Sequence, residues 1–201
     1  MRIYLVRHGE TDWNLQERMQ GQADNALNFT GKEQAGLVAD RLKGIVFDAA
    51  FSSTLSRAAV TAEIILGEQK GILRRDASVM EIGFGPWEGE KIARVLEDDH
   101  PLHNFFAGPD RYFPPNGAEN FYQLYERSNR FMKEEIFPLE NSCENVLIAG
   151  HGAWNQSIVN PLKNIPMAEF WSQPLANCEV AVLDLAGAKL SLAEQIRVMQ
   201  L

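Results

Sequence analysis

A histidine beside an arginine, set at the end of an apolar run, is the first group in this chain of 201 residues able to do chemistry. Ile3-Tyr4-Leu5-Val6 reads as a buried strand, and Arg7-His8-Gly9-Glu10 follows it directly. The carboxyl edge of a parallel sheet is where α/β proteins bind ligands. A histidine there, beside a fixed positive charge, suits attack on a phosphoryl group. Taken alone, the tripeptide reads equally well as ordinary turn residues. The device recurs at Gly150-His151-Gly152, after the apolar run Val146-Leu147-Ile148-Ala149. If the two strands are neighbours, both imidazoles reach one crevice.

Arg57 and a pair of acids add to the set. Arg57 follows Ser52-Ser53-Thr54 and falls in the first turn of a helix. Unpaired backbone N–H groups and a guanidinium converging at a helix start suit a phosphate. The plainer alternative is a surface arginine paired with an acid such as Glu63. Glu81 and Glu88 flank Gly83-Phe84-Gly85-Pro86-Trp87. A carboxyl held near aromatic rings can have a raised pKa and serve as a general acid. Spacing does not choose between the two.

Alternating strand and helix patterns must position these groups, and they argue for a mainly parallel sheet covered on both faces. After the strand Ile3 to Val6, Thr30-Gly31-Lys32-Glu33 reads as a capping box, with Ala35, Val38, Leu42 and Ile45 on one helix face. Asp48 to Ser52 is a second short strand. The helix beginning near Thr54 buries Ala58, Ala62 and Ile65 and ends at Gly67. Residues 76–118 carry many glycines and prolines together with Phe84, Trp87, Phe105, Phe106, Tyr112 and Phe113. They read as an excursion from the core, helical around 90–98, that forms a lid over the sheet edge. About half of these aromatics are expected to build a small core under the lid. A longer helix places Phe121, Leu124, Tyr125, Ser128, Phe131 and Met132 on one stripe. Val146 to Ala149 is a buried central strand, and a closing hairpin turns at Gly187.

Composition bounds the rest. The chain is 45% hydrophobic and 23% charged, which fits one domain over 1–201 with a sizeable core. A net charge of −8 gives no support for nucleic-acid or anionic-membrane partners, so any phosphate site must be a local basic pocket. No stretch is apolar enough to span a bilayer, and the opening does not read as a signal peptide. Cys143 and Cys178 read as reduced thiols of a cytoplasmic protein.

With these residues in view, the chain resembles the histidine phosphatase superfamily, the phosphoglycerate mutase-like fold. Leu5-Val6-Arg7-His8-Gly9-Glu10-Thr11-Asp12-Trp13-Asn14 is similar to the family signature. So are Gln20-Gly21, Ser52 to Ala58 with Thr61-Ala62, Glu81 to Gly89, and Gly150-His151-Gly152, in family order. The resemblance implies a three-layer α/β/α sandwich, with a mainly parallel sheet, an antiparallel edge strand and a lid insertion. It implies that His8 becomes phosphohistidine, that Arg7, Arg57 and His151 form the phosphate pocket, and that Glu81 is the proton donor. Asn14, Gln20, Gly21 and Gly152 would bind the phosphate or its ester. It implies no cofactor, no metal and a small phosphate ester as partner, and it leaves a homodimer open. Two departures stand out: Gly117-Ala118-Glu119-Asn120 where the family often has Gly-Gly-Glu-Ser, and His151-Gly152-Ala153 where it often has His-Gly-Gly.

Within such a family the chain is expected to be a broad-specificity phosphatase, with a cofactor-dependent phosphoglycerate mutase as the alternative. The lid offers Lys91, Arg94 and Arg111 but more aromatics than cations, which favours an apolar or aromatic leaving group. Two readings of other classes compete with this one. A metal hydrolase would use His100 and His103 with Asp98 and Asp99, although the proline-containing loop argues against a preformed site. A non-catalytic phosphate-binding module would be expected to have lost His8, Glu81 or Arg57, and all three are present.

Overall fold

In the computed structural model, residues 1–115 and 117–198 are described. Asn116 of the expected lid and residues 199–201 of the expected domain lie outside the described residues. Among the described residues six strands form one sheet in the order β3-β2-β4-β1-β5-β6. They are β1 Arg2–Arg7, β2 Ala49–Ser53, β3 Leu73–Asp76, β4 Asn145–Gly150, β5 Val180–Ala186 and β6 Lys189–Ile196. β1, β4, β2 and β3 pair in parallel. β5 runs antiparallel to β1, and β6 antiparallel to β5. The antiparallel pairing expected at one edge is therefore supplied by a hairpin: β5 sits one place in and β6 forms the edge. Its turn uses Gly187 and Ala188, both at positive φ (58° and 57°), as a tight two-residue hairpin requires.

The helices are α1 Asp12–Leu15, α2 Phe29–Arg41, α3 Ser56–Leu66, α4 Ile92–Val95, α5 Asn104–Ala107, α6 Phe121–Phe131 and α7 Gly152–Leu162. Two hydrophobic clusters, one on each sheet face, make the three layers. Alternate residues of β1 split between them: Ile3 and Leu5 join one cluster, Tyr4 and Val6 the other. The first cluster carries α6, α7 and the aromatic rings of 84–112. The second carries Ala35 and Val38 of α2 and Ala62 and Ile65 of α3. Burying each such aliphatic side chain contributes roughly 1.5–3 kcal/mol before entropy is counted.

The opening of α2 differs from the sequence expectation. Its N-cap is Asn28, whose side chain accepts from Gly31 N at 2.8 Å, and Thr30 and Glu33 form no capping box. Asn28 wins because it is also tied to the loop after β1: its backbone N–H donates to Glu10 O at 3.0 Å and its Nδ2 to Glu10 Oε1 at 2.8 Å. Gly31 then lies against that loop, where a Cβ would collide with the Glu10 carbonyl. A backbone approach this close requires glycine.

Candidate active site

β1 and β4 are neighbours in register, with Arg7 opposite Gly150. The bond His8 N–H to Gly150 O at 3.0 Å closes the two strand ends together. The following residue of each strand end is a histidine, and the His8 and His151 rings meet with centroids 5.1 Å apart at 59°. Both histidines are buried.

The His8 tautomer follows from its partner. Nδ1 lies 2.7 Å from the Gly9 carbonyl, which can only accept, so Nδ1 carries the hydrogen and Nε2 keeps its lone pair. Burial, then the charges of Arg57 and Arg7, hold the His8 pKa well below 6.5. Burial and the same two arginines act likewise on His151. Both rings are thus neutral at physiological pH.

Arg57 is fully buried and donates to Ala23 O at 2.8 Å and to Gly21 O at 2.6 Å. Burial pulls its pKa down to about 10, which leaves it a cation. It does not pair with Glu63, whose carboxylate takes Arg75 at 2.7 Å. The start of α3 is also not an anion cradle, because Ser56 N donates to the Asp24 carboxylate at 2.7 Å. The charge at this corner is therefore the guanidinium alone. Arg7 is fixed by Nη1 to Leu175 O at 2.7 Å. Arg7 Nε, Arg57 Nε and both ring nitrogens of His151 have no hydrogen-bond partner among the described residues. Buried polar groups are seldom left so. Arg7 and Arg57 line the cavity described below, whereas His151 lies just behind it, against the His8 ring.

Glu81, not Glu88, faces this crevice. The Glu81 carboxylate accepts from Ala153 N at 3.0 Å and Trp154 N at 3.1 Å, and from Ile82 N at 2.9 Å. It thus caps the first turn of α7, immediately after His151. Glu88 instead accepts from Gln22 N at 2.8 Å and Phe84 N at 3.2 Å.

Arg7, His8, Asn14, Gln20, Gly21, Arg57, Glu81 and Gly152 all line one cavity of about 310 Å³. Asn14 Oδ1 accepts from Thr11 N and Thr11 Oγ1, both at 3.1 Å, which turns its amide nitrogen away from Thr11. Phe84, Phe105 and Phe106 wall the cavity, whereas Trp87 and Tyr112 do not line it. Tyr112 is packed inside the protein, edge-on to Phe105 and Phe121, and Phe113 is 72% exposed. Lys91, Arg94 and Arg111 stay out of the cavity. Lys91 donates to Gln16 O, and Arg94 pairs with Glu97 and Asp99.

Sequence reading missed Trp171, Met19, Ile92 and Arg18, which also line the cavity. Trp171 and Ile92 carry no local motif. Arg18 sits two residues before Gln20-Gly21, and that proximity is its one local signal.

His100 and His103 do not converge on a shared point. His100 Nδ1 accepts from Leu102 N, and its Nε2 faces Glu90, while His103 faces Leu96 O and Asp98. Among the described residues no cluster of three or more His, Cys, Asp or Glu side chains is placed to hold a metal, and no helix is long and apolar enough to cross a membrane. A larger open depression at the opposite end of the sheet, about 840 Å³, is lined by Asp48, Glu140, Glu144 and Asp184 and is unsuited to an anion.

A family model described as histidine phosphatase superfamily (branch 1) matches residues 3–195. A probable phosphoglycerate mutase, GpmB, of Proteus mirabilis is 29% identical over 186 residues, covering 92% of this chain and 85% of that protein. The structure of Bacillus stearothermophilus YhfR superposes with a TM-score of 0.88 at 30% identity, over 96% of this chain and 95% of that one. That of an Entamoeba histolytica phosphoserine phosphatase, in complex with 3-phosphoglyceric acid, gives 0.83 at 26% identity, over 98% and 97%. The chain belongs to the histidine phosphatase superfamily.

Proposed function

For this superfamily member we propose phosphomonoester hydrolysis through a phosphohistidine at His8. The observation that carries the proposal is the His8 tautomer: Nδ1–H is spent on the Gly9 carbonyl, so Nε2 is a free base beside two arginines. Phosphoryl transfer asks for an in-line nucleophile and positive charge around the equatorial oxygens. Here Nε2 attacks phosphorus, and Arg7 and Arg57 meet the developing charge with His151 as a further donor. Asn14, Gln20, Gly21 and Gly152 hold the ester. Glu81 gives its proton to the leaving oxygen as the P–O bond breaks. It then takes a proton from the water that attacks the phosphohistidine, which releases phosphate and restores the free imidazole. The cationic charge comes from the chain itself, so no step calls on a metal. We read the chain as one domain in which 76–118 serves as the lid.

The substrate class follows from the cavity wall. Met19, Phe84, Ile92, Phe105, Phe106 and Trp171 offer apolar surface, with Arg18 as the cation outside the phosphate corner. That wall suits a phosphatase acting on apolar or aromatic esters. A phosphoglycerate mutase, the name carried by the Proteus relative, would need its acidic substrate bound beside few cations.

The test is a trapping experiment. Brief reaction with 4-nitrophenyl phosphate should leave an acid-labile, base-stable phosphate on the protein, and His8→Ala should abolish it. Turnover retained in His8→Ala refutes the mechanism. Rapid interconversion of monophosphoglycerates with little phosphate release, in the presence of bisphosphoglycerate, assigns the chain to the mutases.

A further inference from the structure

Behind Glu81, on the side away from the cavity, lies a guanidinium with no assigned part in the chemistry. Arg127, in the second turn of α6, donates Nη1 to Ser78 O at 2.9 Å and to Met80 O at 2.7 Å. Its Nη2 reaches Glu81 O at 3.4 Å. The other edge of the same fork is held by Glu119: Nε to Oε1 at 3.0 Å and Nη2 to Oε2 at 2.8 Å. Glu119 in turn grips the loop after Glu81. Its N–H donates to Gly83 O at 2.8 Å, and its Oε2 accepts from Gly83 N at 3.2 Å. The Arg127 and Glu119 side chains are only 16% and 17% exposed, so this is not a solvated surface pair.

The peptide that bears the carboxylate is thus clamped on both sides of residue 81, at 78, 80 and 81 by Arg127 and at 83 by Glu119. The Glu81 carboxylate is seated at the same time on the first turn of α7. A planar fork with five donors can hold several carbonyls and a carboxylate at once, which an ammonium cannot. We propose that Arg127, fixed by Glu119, is a positioning residue that sets the place of the Glu81 carboxyl relative to the leaving oxygen. Arg127 touches neither substrate nor reacting atoms. It acts through the backbone of the acid, and its positive charge also bears on His151. The inference rests on Glu81 being the proton donor.

A misplaced acid has a signature that general loss of stability lacks. Esters of alcohols need their leaving oxygen protonated, whereas 4-nitrophenolate leaves without help. The experiment compares kcat/KM on phenylethyl phosphate and 4-nitrophenyl phosphate for Glu81→Gln, Arg127→Met, Arg127→Lys and Glu119→Gln, with thermal unfolding of each variant. Glu81→Gln should lower the alkyl ester by about 100-fold or more and the nitrophenyl ester far less, the range expected for losing a general acid. Arg127→Met should move the same ratio in the same direction by roughly 10- to 100-fold, the scale of an ångström of misplacement. Arg127→Lys and Glu119→Gln should fall between it and the parent. If Arg127→Met does not fold, Glu119→Gln, which keeps the shape of the pair, decides. Equal losses on both esters in the Arg127 and Glu119 variants, with Glu81→Gln selective, overturn the positioning role and leave the acid assignment standing. Equal losses in Glu81→Gln itself overturn the acid assignment instead.

Discussion

The Trp171 indole Nε1 donates to the Phe105 carbonyl at 2.7 Å, and their rings pack at 5.1 Å between centroids. A residue outside the 76–118 segment therefore shares the cavity wall with Phe105 and Phe106, and its ring is held by a hydrogen bond as well as by packing. Burying an aromatic leaving group against such a wall is worth about 1–3 kcal/mol. Trp171→Leu and Phe106→Ala should each lower kcat/KM on naphthyl phosphate by about 10-fold relative to a small alkyl phosphate. Steady-state kinetics on the matched pair checks this, and unchanged selectivity in both variants refutes it.

Tyr112 should behave in the opposite way. It is 2% exposed inside the aromatic cluster, and its hydroxyl has no partner among the described residues. Tyr112→Ala should cost about 3 kcal/mol in stability through lost packing. Tyr112→Phe should be neutral or gain up to about 1 kcal/mol by removing an unpaired hydroxyl. Chemical denaturation of both proteins tests it. Neither substitution should change ester selectivity.

The two buried histidines tie stability to pH. Each has a folded pKa held well below its ordinary 6.5. The unfolded chain therefore binds protons that the folded one refuses. Stability should be full above about pH 6.5 and fall as pH drops below it, by up to about 1.4 kcal/mol per pH unit for each histidine. His151→Asn should flatten that slope by about one proton. A denaturation series from pH 7.5 to about pH 5 measures it, and a slope unchanged by the substitution contradicts the assignment.

Gly31 and Gly36 make a matched pair within α2. Nothing lies near a Cβ added at Gly36, whereas one at Gly31 would meet the Glu10 backbone. Gly36→Ala should stabilise by about 0.5–1 kcal/mol through helix propensity. Gly31→Ala should destabilise by about 2 kcal/mol or more despite the same gain. It should also depress turnover, because the loop it pushes carries His8. Equal effects on stability would show that the contact relaxes freely.

The two histidines were legible because their signal is local. An apolar run, a histidine and a glycine lie within a few residues of one another at 3–9 and again at 146–152. The parallel sheet and its alternation with helices were legible for the same reason. Side-chain periods of two and 3.6 are set by each chain segment's own backbone. Even there, local signals compete. Thr30 and Glu33 spell a capping box, yet Asn28 caps α2 because the loop after β1 reaches it from outside.

What only the tertiary structure decided is which distant groups meet. Glu81 and Glu88 are equivalent by spacing. Their difference is that α7 presents two N–H groups to the first while the loop at Gln22 and Phe84 takes the second. The aromatics divided in the same way. Phe105 and Phe106 reached the cavity, Tyr112 was drawn into the core, and Trp171 arrived from a segment with no motif. Arg127 meets Met80 across 47 residues and Trp171 meets Phe105 across 66. Residue type and spacing declare what a side chain can do and which face of its own element it occupies. Its neighbours from remote segments are set by the packing of whole layers, which no local pattern contains.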